Sequence, residues 1–216
     1  TVMFADIRDY TPLSEQMTPE ENFKFVNAFL GRLAPYIRQN NGFINQFLGD
    51  GFLAIFTSTE DYALKAALEI QHNLLEYNEE RAVQDRQPVR LGIGLHTGPL
   101  VMGVIGDKER MDPATISDTV NTASRMEGLT KYYGVNIIVS DIFAHKLENQ
   151  AALHFRYLGK VKVKGKHQAT GIYECFEGDT PEIQSHKLMT MDAFEEGIKA
   201  FQAGDFDTAS LHFLDV

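Results

Sequence analysis

Cysteine is nearly absent. Cys175 stands alone among 216 residues, so no internal disulfide can form and the chain suits a reducing compartment. Basic residues are also short, 20 Lys and Arg against 30 Asp and Glu. The net charge of −10 argues against a nucleic-acid surface, which needs clustered cations for its phosphates. A nucleotide stays open, since a few local cations or a metal ion suffice for one. No apolar run approaches the roughly 20 residues of a membrane span, and no signal peptide is visible. The segment reads as soluble and cytoplasmic. Its start inside an apparent strand suggests a piece of a longer protein, leaving room for a membrane anchor elsewhere.

What is present is enough apolar residue, 44%, to bury one full core with a small appendage. Residues 2–7 read as a buried strand and Arg8-Asp9-Tyr10-Thr11-Pro12 as a polar loop. Thr18-Pro19-Glu20-Glu21 signals a helix start, with a threonine cap, proline first and glutamate third. Phe23, Val26, Phe29, Leu30, Leu33 and Ile37 follow at helical spacing as its core face. Pro35 is expected to kink or end that helix, and Asn40-Asn41-Gly42 to terminate it. A second helix opens at Ser58-Thr59-Glu60-Asp61 and buries Ala63, Ala67, Ile70, Leu74 and Tyr77. Glu79-Glu80-Arg81 at its end reads as a solvated loop. Further strands are expected at 89–95, 99–105, 136–139, 155–163 and 171–176, and helices at 118–129 and 140–147. This alternation suggests an α+β fold, with helices covering one face of a mostly antiparallel sheet.

After Gly178 the texture changes. Residues 179–192 read as a linker, and 193–216 resemble the first helix, turn and second-helix start of a tetratricopeptide repeat. One such unit cannot bury its own apolar face, so it reads as the stub of an array. A terminal helical hairpin packed on the domain is the other reading.

The chain is organised around residues 42–56. Two β-favouring runs flank Gly49-Asp50-Gly51, the pattern of a tight hairpin with glycines at its turn. Gly-Asp-Gly alone is ordinary turn chemistry. A second aspartate, Asp6, is the polar exception in the first strand, and two carboxylates on rigid strands suit a hard cation. A buried structural ion pair is the alternative for them.

Four stretches now stand in order: Phe4-Ala5-Asp6-Ile7, Leu48-Gly49-Asp50, Ile93-Gly94-Leu95-His96-Thr97-Gly98-Pro99 and Asp118-Thr119-Val120-Asn121-Thr122-Ala123-Ser124-Arg125. In this order and spacing they resemble the catalytic domain of class III adenylyl and guanylyl cyclases. The resemblance runs from about Val2 to Phe176 and implies a ferredoxin-like βαββαβ core within residues 1–178. It implies conversion of ATP to 3′,5′-cyclic AMP and pyrophosphate, with two Mg²⁺ or Mn²⁺ ions on Asp6, Asp50 and the carbonyl of Ile7. Such an ion pair stabilises the attacking and leaving oxygens together. The resemblance also sets backbone donors of Arg8, Asp9, Tyr10 and Thr11 on the phosphates. Asn121 would orient the ribose, and Arg125 would stabilise charge on the α-phosphate. Their structural alternative is a capped helix with an exposed arginine. Lys164 matches the lysine that neutralises the β- and γ-phosphates; Arg90 either shares that role or is a solvated strand-end residue. His96 reads as structural. A homodimer is implied, each site taking its aspartates from one copy and Asn121 and Arg125 from the other, with regulatory domains outside this segment.

The base-reading pair departs from the family. Gln46 stands four residues before Asp50, where adenine-selecting members carry lysine. Ala114 stands seven residues before Asn121, where they carry aspartate or threonine. Guanylyl cyclases place glutamate and cysteine at these positions. Glutamine can face either purine edge, alanine reads nothing, and Thr115 could substitute only after a one-residue shift. Three readings follow. The first is an ATP cyclase, with a guanylyl or purine-unselective cyclase as its variant. The second is a non-catalytic cyclase-homology module that regulates or dimerises. The third is an interaction fragment serving downstream repeats.

Overall fold

The computed structural model describes residues 1–107, 111–162 and 169–216. The first half runs β1 (Val2–Ile7), α1 (Tyr10–Ser14), α2 (Pro19–Gln39), β2 (Gly42–Leu48), β3 (Gly51–Phe56), α3 (Glu60–Val83) and β4 (Leu91–His96). Then come β5 (Val101–Gly106), β6 (Met111–Ile116), α4 (Asp118–Tyr133), β7 (Ile137–Ser140), α5 (Asp141–Ala144), β8 (Phe155–Lys162) and β9 (Ala169–Cys175). Three helices follow: α6 (Pro181–Met189), α7 (Met191–Ala203) and α8 (Phe206–Leu214).

Alternation along the strands decides the layout. In β1, Met3, Ala5 and Ile7 enter one core with Phe29 and Leu33 of α2 and Ile70 of α3. Val2 and Phe4 pack on the opposite side with Leu53 and Ala123. Side chains two apart share a face, so Asp6 lies on the side of Val2 and Phe4. β4 repeats the pattern: Leu91, Ile93 and Leu95 join the first core, and Gly92 and Gly94 face the other way. A Cβ at Gly94 would stand 2.5 Å from Ala123 O and 2.8 Å from Glu127 Cα, so α4 rests directly on the bare strand. Helices therefore flank both faces rather than one, because the two glycines open a seat for α4.

The strand order is β2-β3-β1-β4-β7-β9-β8, with the β4–β7 pairing parallel and the other described pairings of that sheet antiparallel. Its first four strands with α2 and α3 form the ferredoxin-like βαββαβ unit. β5 and β6 form a separate two-stranded ribbon. β6 was not expected from the sequence; it contains Pro113, which is tolerated in such an edge strand.

Four local expectations are corrected. α2 opens with the capping box between Thr18 and Glu21, but it runs through Pro35, its last turns held by the buried face of Leu33, Ala34 and Ile37. Phe23 is 72% exposed and outside the core. α3 continues through Glu79-Glu80-Arg81, because Arg81 is buried, donating to Gln87 O at 2.6 Å and lying over Tyr77. The stretch 179–192 is largely the helix α6, tied down by Gln184 and Lys187, which donate to Asp179. Beyond it, α7 and α8 form a hairpin in which Phe213 covers Gly197, and Phe194 packs with Leu158 and Ile172 of the sheet. Among the described residues no helix is long and apolar enough to cross a membrane.

Candidate active site

The two aspartates meet. Asp6 is the last residue but one of β1 and Asp50 caps the β2–β3 hairpin, where Gly49 takes a φ of 72° that suits glycine. β1 and β3 are paired, with Ala5 opposite Phe52, which brings Asp50 alongside Asp6. A Cβ at Gly51 would stand 2.6 Å from Asp6 Oδ1, so glycine here lets the carboxylate lie against the neighbouring backbone.

Both carboxyls are half-buried and hydrogen-bonded to each other. Burial first, then repulsion from Asp50, pushes the Asp6 carboxyl up to about 6. Burial also raises Asp50, opposed by its own amide and by that of Ile7. Glu127 of α4 adds a third carboxyl, pushed up to about 7 by burial and then by Asp6. With these residues, Ile7, Arg8, Asp9, Tyr10, Thr11, Gly128 and Lys131 line a cavity of about 450 Å³.

Two facing carboxylates with no ion pair between them and a described cation form a hard oxygen donor set. The residues fit a divalent cation, which would relieve the repulsion that raises Asp6. Among the described residues no three acidic, His or Cys side chains converge on one point, so Glu127 stays beside the pair rather than completing a ligand set.

The loop after β1 is more ordered than expected. Tyr10–Ser14 is a one-turn helix led by Asp9, at a left-handed φ of 53°. Lys131, at 3.0 Å, and Arg90, at 2.7 Å, hold the Asp9 carboxyl below its ordinary range. Arg90 is thus engaged at the rim and does not line the cavity. Tyr10 donates to Asn22 Oδ1 at 2.7 Å. Arg8 turns inward and donates to the carbonyl of Val135, while its Nε is buried with no partner among the described residues.

The remaining sequence candidates lie elsewhere. Asn121 and Arg125 are exposed on α4, away from the side that carries Glu127 and Lys131. Gln46 is exposed on the edge strand β2, just past a bulge. Ala114 and Thr115 sit on β6 opposite Gly103 and Met102, and Thr115 Oγ1 is buried without a described partner. None of these five lines the cavity. Lys164 lies outside the described residues. Sequence reasoning missed Glu127 and Lys131; their four-residue spacing on α4 was the available signal.

A ferredoxin-like core with two aspartates on adjoining strands offers a hard oxygen donor pair at the rim of a cavity. The family model of the adenylate and guanylate cyclase catalytic domain matches residues 1–174, and the chain belongs to that family. It is 42% identical over 180 residues to an adenylate cyclase of Anabaena cylindrica, covering 81% of this chain and 36% of that protein. The chain therefore spans about a third of that relative's length. A bacterial light-regulated adenylyl cyclase matches with a TM-score of 0.74 and 25% identity, over 83% of this chain and 52% of the other. The guanylyl cyclase Cya2 matches with a TM-score of 0.68 and 30% identity, over 83% and 92%.

Proposed function

We propose that this chain is the catalytic domain of an adenylyl cyclase, converting ATP to 3′,5′-cyclic AMP and pyrophosphate. The observation that carries the reading is the pair Asp6 and Asp50, pressed together although Asp50 raises the cost of ionising Asp6. Two divalent cations, Mg²⁺ or Mn²⁺, fit that pair and the Ile7 carbonyl, and would activate the ribose 3′-oxygen and stabilise the departing pyrophosphate. The backbone of the Arg8–Thr11 turn binds the triphosphate, and the packed strands hold the two carboxylates still. Asn121 and Arg125 act on the ribose and α-phosphate of a site on a second copy, which their exposed position on α4 supports. Lys164 binds the β- and γ-phosphates.

Gln46 and Ala114, together with the likeness to a guanylyl cyclase, favour a second reading in which GTP is also accepted. The helical hairpin α7–α8 is the start of a repeat array, supported by Gly197 under Phe213, and further regulatory segments belong to the longer protein. Incubation of the purified chain with ATP or GTP and Mn²⁺, with product detection, tests these readings. Loss of product in Asp6→Ala and in Asp50→Ala is expected. Near-wild-type turnover in either would sink the assignment, and no turnover in the parent chain would favour a non-catalytic module.

A further inference from the structure

A chain of buried polar contacts links α6 to the cavity. Glu174 of β9 is fully buried and accepts from Arg156 Nε at 2.9 Å and Nη2 at 2.7 Å. Lys187 of α6 donates to Glu174 from the other side, and to Asp179 at 2.6 Å. Asp179, 4% exposed, accepts in turn from Asn136 Nδ2 at 2.8 Å. Asn136 adjoins Val135, whose carbonyl accepts from the Arg8 guanidinium. Asp179 is also near enough to act electrostatically on Arg8. Two cations and two anions balance here, so the network is neutral and every charge has a partner.

Its composition matters more than its stability. Buried ion pairs contribute little net stability compared with apolar packing, but they fix geometry, because few arrangements satisfy all the partners. Arg8 follows the β1 segment that carries Asp6, and it opens the turn that borders the cavity. Phe194 of α7 lies under Arg156, 4.4 Å from its guanidinium carbon, so the next helix bears on the same cluster.

We infer that Lys187, Asp179 and Asn136 are positioning residues for nucleotide binding, acting through Val135 and Arg8. α6 is in that sense a clamp on the triphosphate loop. The inference rests on the cyclase reading for its kinetic consequence, but not for its mechanical one. Two measurements separate them.

The first is hydrogen exchange, without nucleotide, across Arg8–Ser14 and across Pro181–Met189. The variants are Lys187→Met, Asn136→Ala, which removes no charge and so keeps the test alive if Lys187→Met fails to fold, and Lys187→Arg. Lys199→Met, which breaks an exposed pair with Glu196, is the control. Exchange across Arg8–Ser14 should rise several-fold in Lys187→Met and Asn136→Ala, and return towards the parent in Lys187→Arg. The second is nucleotide kinetics. Loss of one positioned hydrogen bond should raise KM about fivefold. A mere loss of folded enzyme lowers apparent kcat and leaves KM alone. Faster exchange in α6 with none at Arg8–Ser14, or unchanged KM in both variants, would overturn the clamp. A parent chain without turnover would remove the cyclase reading, and the exchange result would still decide the clamp.

Discussion

Replacing Gly51 by alanine puts the proposed metal site under direct mechanical test. The new Cβ would stand 2.6 Å from Asp6 Oδ1 and 3.2 Å from Asp6 Cα, and would also strike the carbonyl of Ala5. An ordinary contact near 3.4 Å leaves a shortfall of roughly 0.8 Å at the carboxylate oxygen. Two of the three atoms are backbone in the β1–β3 ladder, so the strand must move with the side chain. Overpacking of this kind costs about 1–3 kcal/mol. At about 2–4 °C per kcal/mol for a chain of this size, the melting temperature should fall by about 2–12 °C. A displacement on the order of 1 Å in a positioned group lowers turnover about 10²-fold. The assay is cyclase kcat/KM with Mn²⁺, run well below the variant's measured melting temperature. A Gly51→Ala enzyme within about threefold of the parent would show that Asp6 is free to move, and would refute the argument from close packing.

Further outcomes test the other parts of the site. Mixing Asp50→Ala with Arg125→Ala chains should restore about a quarter of parental activity, since half of randomly formed dimers carry one intact composite site; mixed dimers without activity would place a complete site in each chain. In metal-free protein, Asp6 near 6 and Glu127 near 7 stay protonated where the unfolded chain, at 3.8 and 4.5, has released its protons. Their contribution to stability should therefore be full below about pH 4, fall as pH rises and be lost above about pH 7, with Mg²⁺ raising the melting temperature more at pH 8 than at pH 5. A flat thermal-melt profile over that window would count against the buried carboxyl cluster. At the base, one missing hydrogen bond limits an ATP-over-GTP preference in kcat/KM to about 10²-fold. Gln46→Lys with Ala114→Thr should sharpen the preference for ATP, and discrimination by several orders of magnitude in the parent would point to Thr115 or a backbone carbonyl as reader.

What the sequence made legible was local. The hairpin at Gly49-Asp50-Gly51 declares itself by turn chemistry, and the capping box at Thr18 by its spacing. Asp6 stood out because a carboxylate in an apolar strand needs a reason. Glu127 was not legible, since its place beside Asp6 depends on how closely α4 approaches Gly92 and Gly94. Lys187 read as linker charge for the same reason: its partners Glu174 and Asp179 are buried by a packing that no local pattern announces. Arg81 likewise looked solvated until Tyr77 and the Gln87 carbonyl enclosed it.

The seat of α4 on β4 separates what an engineer can vary from what must be left alone. Gln46 lies exposed on the outermost strand, and Ala114 belongs to a ribbon outside the main sheet. Substitutions at such peripheral places usually shift stability by no more than about 0.5 kcal/mol. Gly94 has no such latitude, because any side chain there would lift the helix that carries Asn121, Arg125 and Glu127. On the proposed reading of Gln46 and Ala114 as base contacts, nucleobase preference can be rewritten at exposed positions without disturbing the seat of α4.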